Sequence, residues 1–213
     1  MIPKLHYISQ GSTLQEHIEH IQKACNAGAE LVQLRVKNSS QKKLLAAAHE
    51  AREITSHFQT RLIINDDYKL AKEIKADGVH LGSTDACPIT ARKHVYTWQI
   101  IGGTAHTLQD CESLIVKQVD YISLGPYSTS TTKETSLIPL GISGYKAIIE
   151  KLGTTTPLLA VGGITLDDVT KILETGIGGI AVSKAITTDF NKIRTFNELL
   201  SASSTQEQRH TFE

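Results

Sequence analysis

Eight short apolar runs, each followed by a helix or a helix-length segment, constrain this chain more than any other feature. They are KLHYIS from Lys4, LVQLRV from Leu31, RLIIN from Arg61, GVHL from Gly78, QIIG from Gln99, DYISLG from Asp120, PLLAVG from Pro157 and GIAVS from Gly179. Runs this short read as strands, and strands that alternate with helices form a parallel sheet. Eight such units in 213 residues fit a compact (β/α)8 TIM barrel of the α/β class, near the lower size limit of that fold. The barrel is expected to be a single domain over residues 1–200, with a polar, aperiodic tail at 201–213 that frays. An open doubly wound sheet is the alternative. It would normally carry G-x-G-x-x-G after an early strand, and the sequence has none.

Helix punctuation agrees with this division. Thr13 reads as an N-cap with Glu16 at the capping-box position and Gly28 as the stop. A second helix follows Ser40. A third starts at the N-cap Thr165, places acids in its first turn and stops at Gly176. Bulk properties exclude several function classes. Twenty-two basic residues balance twenty-two acidic ones, so no single-signed field draws nucleic acid or an acidic membrane. Low aromatic content argues against base-stacking surfaces. Cys25, Cys87 and Cys111 are few and far apart, which suits a reducing cytoplasm. MIPKLHYISQ lacks the pattern of a signal peptide, and no apolar run approaches the roughly 20 residues of a membrane span.

Active sites of this fold gather at the C-terminal ends of the strands. The candidate strands end in, or lead to, Arg35 and Lys37; Asn65, Asp66 and Asp67; Asp85; Thr104 and His106; Gly162 and Gly163; Ser183 and Lys184. After the sixth comes GPYSTSTTKET, hydroxyls crowded around Lys133. Asp66 and Asp85 would repel unless a hard cation lies between them, and Mg²⁺ typically takes one or two carboxylates plus phosphate oxygens. Asp67 reads mainly as a helix cap. Gln33, Arg35 and Lys37 alternate and are expected to face the barrel interior, where two cations need either a phosphorylated ligand or a salt bridge to Asp66 or Asp85. Hydroxyls, loop N–H groups and a lysine suit a diphosphate, which offers acceptors only. AVGGI ends a strand in glycines that let backbone approach a phosphate. His17 and His20 read as surface histidines. His80 is open between core packing, a neutral hydrogen-bonded role and catalysis.

In that order QLRVK, IINDD, ADGVHLGSTD, IGGTAHT, DYISLGPYSTSTTK, PLG and AVGGI resemble the thiamine-phosphate synthase (thiamine-phosphate pyrophosphorylase) family from about Lys4 to Ile186. The resemblance implies a Mg²⁺-dependent transferase. It would join 4-amino-5-hydroxymethyl-2-methylpyrimidine diphosphate to 4-methyl-5-(2-hydroxyethyl)thiazole phosphate, with diphosphate leaving first. It also implies residue roles. Gln33, Arg35, Lys37, Asn65, Thr104 and Lys133 hold the pyrimidine diphosphate, with Arg35, Lys37 and Lys133 as the catalytic cations. Asp66 and Asp85 ligate Mg²⁺, and Ser130, Thr132, Gly163, Ser183 and Lys184 hold the thiazole phosphate. The implied partners are phosphorylated small molecules, with no nucleic acid and no membrane, and homo-oligomerisation is left open. The chain departs from the family pattern at Asp67, where arginine is usual, and at Thr104, where serine is. Lys184 stands in another serine's place, and STSTTK lacks the usual prolines, from which a more mobile loop is expected. The alternatives are a thiazole tautomerase on the same barrel and a non-catalytic thiazole-phosphate-binding module. The Asn-Asp pair, the second aspartate and the Thr-Lys ending favour the synthase.

Overall fold

The computed structural model describes residues 2–129 and 137–210, with side chains described through residue 202. Its strands are β1 (Leu5–Ile8), β2 (Leu31–Leu34), β3 (Arg61–Asn65), β4 (Gly78–Leu81), β5 (Ile100–Ala105), β6 (Tyr121–Leu124), β7 (Leu158–Val161) and β8 (Gly179–Val182). All pair in parallel, each with its sequence neighbours, and β8 closes on β1 through Leu5–Ile180, His6–Ala181 and Tyr7–Val182. The expected (β/α)8 barrel is the fold observed. The connecting helices are α1 (Leu14–Asn26), α2 (Gln41–His57), α3 (Tyr68–Glu73), α4 (Pro88–Arg92), α5 (Leu108–Val116), α6 (Gly141–Leu152), α7 (Val169–Leu173), α8 (Lys184–Thr187) and α9 (Lys192–His210). The helical backbone of α9 thus runs on through Ser201, across most of the stretch expected to fray.

The period of two along each strand divides the core into two shells. Val32, Leu34, Leu62, Ile64, Val79, Leu81, Ile122 and Leu124 belong to the buried layer shared with the helices. Their alternates Leu31, Ile63, Leu159 and Ala181 are also buried but fill the barrel itself, together with the polar His6, Gln33, His80, Tyr121 and Ser123. β5 was expected to end at Gly102 but continues to Ala105. Glycine is tolerated inside this strand for a specific reason. A Cβ at Gly102 would lie 2.1 Å from Cζ of Tyr121, so the missing side chain is the space that the tyrosine ring occupies.

Local signals hold at the helix ends. The Thr13 hydroxyl accepts from the Glu16 N–H at 3.2 Å, while the Glu16 carboxylate accepts from Ser12 N–H rather than from the cap itself. Gly28 and Gly176 take the left-handed φ values of +88° and +94° that end their helices. Thr165 and Asp168 close a capping box at the start of a short 3₁₀ turn before α7.

The two ends of the barrel treat charge differently. At the N-terminal end, Asp77 accepts from Leu62 N–H and pairs with Arg52, and Asp120 accepts from Ile101 N–H and pairs with Arg92. These carboxylates close strand edges and are neutralised in place, as expected of the stabilising face of the fold. Two open depressions at that end, lined among others by Ile2, Gly28, Thr60, Arg61 and Trp98, hold none of the predicted site residues.

The buried interior carries a pH signature. Desolvation, then the charges of His80 and Arg61, pull the His6 pKa from 6.5 down to about 3. The folded state therefore resists a proton that the unfolded chain accepts below pH 6.5. Stability from this group is present above pH 6.5 and is lost as pH falls toward 3, at ~1.4 kcal/mol per pH unit once well below 6.5. Urea titrations between pH 7 and 5 should show that slope in the wild type. His6→Gln, which cannot titrate, should be flatter by about one proton; equal slopes would show that His6 is not the linked group.

Candidate active site

The C-terminal rim carries those of the predicted residues that are described. Gln33 is buried near the end of β2, and its side-chain amide donates to Oδ1 of Asn65, the last residue of β3, at 3.3 Å. Two residues expected to bind the same ligand therefore hold each other across adjacent strands. Asp66 follows at a left-handed φ of +67°, and its N–H donates to the His80 carbonyl at 2.8 Å, which ties it to the end of β4. Asp85 lies in the loop after β4, where its carboxylate accepts from the Gly82 N–H at 2.6 Å. The two predicted metal ligands thus stand at neighbouring strand ends. Asp67 caps α3, accepting from the N–H groups of Lys69 and Leu70 at 3.0 and 2.9 Å. Its carboxylate is thus committed to the helix start, as its reading as a cap expects.

Thr104 is a residue of β5 and not of the loop after it, half-buried below the rim, and its hydroxyl is 2.8 Å from Nε2 of His80. Nδ1 of the same ring is 3.0 Å from the Tyr121 hydroxyl. His80 therefore has the hydrogen-bonded interior placement that the sequence left as one of three options. At the far side of the rim, Gly162 and Gly163 have φ of +101° and +66°. The chain leaving β6 docks on this turn: Tyr127 N–H donates to Val161 O, Ser128 N–H to Gly162 O, and the Ser128 hydroxyl to Gly163 O at 3.0 Å. A Cβ at Gly163 would lie 2.1 Å from that hydroxyl oxygen. Ser128 anchors this chain to the turn. Ser183 and Lys184 follow β8, the neighbour of β7. Ser130, Thr132 and Lys133 lie outside the described residues. On either side of them the chain is held to the rim, at Ser128 as above and where Leu140 and Gly141 N–H donate to Pro126 and Tyr127 carbonyls.

Two expectations need correction. β2 ends at Leu34, so Lys37 is not a strand residue facing the interior. It is exposed in the following loop, while Arg35 is half-buried at the strand's end. Strand alternation cannot be carried three residues past the last ladder position. His17 is not a surface residue but 5% exposed. Its Nδ1 is 2.8 Å from the hydroxyl of Ser9, which also accepts from the Arg35 N–H at 3.1 Å. Burial, then the charge of His20, lowers the His17 pKa, which favours the neutral ring. This support of Arg35 was missed, although a signal existed: His17 lies four residues before Ile21 on the apolar stripe of α1.

The salt-bridge alternative for the cations is testable on geometry. Among the described residues neither Arg35 nor Lys37 makes an ion pair; the pairs found there are Arg52–Asp77, Arg92–Asp120 and Arg194–Glu198, all elsewhere. The donor chemistry suits Mg²⁺. Asp66 and Asp85 are the hard oxygen donors that would hold such a cation, together with oxygens of a phosphorylated ligand.

A closed (β/α)8 barrel whose C-terminal rim carries cations, carboxylates, amides and hydroxyls has the layout of a barrel enzyme, with a rim suited to an anionic ligand. The chain belongs to the thiamine monophosphate synthase family, which matches residues 5–186. It is 40% identical over 208 residues to a thiamine-phosphate synthase of Flavobacterium johnsoniae, covering 95% of this chain and 98% of that one. It is 35% identical over 185 residues to a thiamine-phosphate synthase of Bacteroides fragilis, covering 85% and 91%. A solved structure of thiamine phosphate pyrophosphorylase from Pyrococcus furiosus superposes with a TM-score of 0.79 at 25% identity, covering 92% of this chain and 96% of that one. The activity is accordingly that of a transferase of thiamine biosynthesis. No helix among the described residues is long and apolar enough to cross a membrane.

Proposed function

We propose that this chain condenses 4-amino-5-hydroxymethyl-2-methylpyrimidine diphosphate with 4-methyl-5-(2-hydroxyethyl)thiazole phosphate, releasing thiamine phosphate and diphosphate. The observation that carries the reading is the pair of rim cations, Arg35 and Lys37, without an ion-pair partner among the described residues. An unpaired guanidinium beside a carboxylate-bearing rim is suited to a phosphorylated ligand that arrives with a metal. Arg35, Lys37 and Lys133 bind the diphosphate and stabilise the charge that grows on it as the C–O bond breaks. The Gln33–Asn65 pair and the Thr104 hydroxyl orient it. Asp66 and Asp85 would hold Mg²⁺, which when bound neutralises the leaving group. The glycines after β7, Ser183, Lys184, Ser130 and Thr132 receive the thiazole phosphate and aim its ring nitrogen at the exposed carbon. No side-chain nucleophile is needed. The reading places the protein in the cytoplasm, consistent with free thiols at Cys25, Cys87 and Cys111.

The test is incubation with both substrates and Mg²⁺. Thiamine phosphate and diphosphate should form in equal amounts, and neither should form when the pyrimidine carries a monophosphate. Isomerisation of a thiazole phosphate at a comparable rate without any pyrimidine would favour the tautomerase. Folded protein that binds thiazole phosphate but forms no product would favour the binding module.

A further inference from the structure

The barrel interior holds a hydrogen-bonded chain that the reaction as described does not use. Tyr121 spans the interior with its ring stacked on His80, centroids 5.5 Å apart, and edge-on to His6 at 4.9 Å. Its hydroxyl meets Nδ1 of His80 at 3.0 Å, and Nε2 of His80 meets the Thr104 hydroxyl at 2.8 Å. The path runs from the buried floor of the barrel to a half-buried residue below the rim. Gly102 exists as glycine so that this tyrosine fits.

The chain can be protonated in two directions. In one, the phenol donates to Nδ1, the imidazole carries its proton on Nε2 and donates to Thr104, and the threonine proton is left to point elsewhere. In the other, Nδ1–H donates to the phenol oxygen and Thr104 donates inward to Nε2, which turns threonine lone pairs toward the rim. The surroundings favour the first. Nδ1 of His80 is the hydrogen-bond partner found for the Tyr121 hydroxyl among the described residues, so the second direction would leave the phenol proton buried without an acceptor, at a cost folded proteins avoid. Burial also drives the Tyr121 pKa strongly upward, which keeps that proton on the oxygen. The tautomer of an imidazole is set by the bond its other nitrogen makes.

We propose that Tyr121 and His80 are positioning residues that fix the Thr104 hydroxyl as a donor toward the rim, where it meets the acceptor-only oxygens of the substrate diphosphate. The proposal rests on the reading of Thr104 as a diphosphate-binding residue. It assigns the specificity of that contact to a tyrosine two hydrogen bonds away: with the opposite polarity the same hydroxyl would present lone pairs to an anion. His80 and Tyr121 touch neither substrate in this scheme and act through Thr104 alone.

A double-mutant cycle separates this from a packing role. Thr104→Val should lower kcat/KM for the pyrimidine diphosphate about 10- to 100-fold, the worth of a hydrogen bond to a charged group. Tyr121→Phe keeps the ring and removes only the donor; it should cost about 3- to 10-fold in the same constant and leave the KM for thiazole phosphate unchanged. In the Thr104→Val background, Tyr121→Phe should cost less than about 2-fold, because the group it acts through is gone. A full Tyr121→Phe loss in both backgrounds, or no loss in either, overturns the proposal. Wild-type kcat/KM in Thr104→Val instead overturns the reading of Thr104 on which the proposal rests. A second measurement does not depend on any variant folding. Nitrogen-15 NMR of the wild-type protein should show the His80 proton on Nε2 and a bare, hydrogen-bonded Nδ1. A proton on Nδ1 with a bare Nε2 refutes the assigned direction.

Discussion

Asp85→Asn should cut turnover about 10²-fold or more, the usual scale for losing a group that acts on charge developing in the transition state, while the folded state is nearly unperturbed. The substitution isolates charge because the asparagine oxygen can still accept the Gly82 N–H that the carboxylate now takes at 2.6 Å. Asp66→Asn isolates it in a second way. Asp66 sits at φ +67°, a conformation that asparagine tolerates as well as aspartate and that alanine does not. Asp66→Ala would mix backbone strain with loss of the ligand, and Asp66→Asn does not. Both Asn variants should need more Mg²⁺ for half-maximal rate and should unfold in urea within about 0.5 kcal/mol of the wild type. Asp67→Asn should be milder in every respect, since an asparagine cap accepts the Lys69 and Leu70 N–H groups nearly as well. Wild-type rate and Mg²⁺ response in both Asp66→Asn and Asp85→Asn would remove these residues from the metal site.

The contrast between what could and could not be anticipated follows from the range of the interactions. Eight strands were visible because each is a local apolar run closed by a cap or a glycine, and parallel pairing follows from alternation with helices. Asp67 was readable as a cap because capping is decided within three residues. The extension of β5 past Gly102 was not, because the space that glycine leaves is used by Tyr121, nineteen residues later, on the neighbouring strand. Arg35 was placed correctly at the end of β2, but Lys37 was given an interior-facing strand position where it is exposed in the loop, since nothing local marks where a strand peels away from its neighbours. The support of Arg35 by Ser9 and His17 depends on how α1 folds back over the end of β1, a tertiary fact. Resemblance to the family supplied roles for these residues that spacing alone left open between ligand and salt bridge. The geometry narrows that choice, because the carboxylates paired with arginine lie at the N-terminal end of the barrel or along α9.

Lys133→Ala should lower kcat about 10²- to 10³-fold, roughly 3–4 kcal/mol of transition-state stabilisation, and should change unfolding stability far less. The lysine lies outside the described residues, so the case is chemical. Diphosphate leaves carrying charge that the bound substrate does not yet hold at the bridging oxygen. A cation aimed there is worth more in the transition state than in the ground state, so its loss falls on kcat and not on KM. What the structure adds is the mounting of the segment. Ser128 bonds Gly163 on the β7 turn, and Leu140 and Gly141 bond back to Pro126 and Tyr127, so the described residues before and after that segment are held at the rim. The same mounting adds one companion expectation. Ser128→Ala removes an anchor to the carbonyl of Gly163 and should raise the KM for thiazole phosphate a few-fold, where a spacer would be silent. Thr132→Val should raise that KM as well, with kcat held near the wild type. Steady-state kinetics in both substrates, beside urea midpoints for each variant, resolve the three. A Lys133→Ala enzyme with near-normal kcat would show that diphosphate departs without it, and would leave Arg35, Lys37 and the metal to carry the charge.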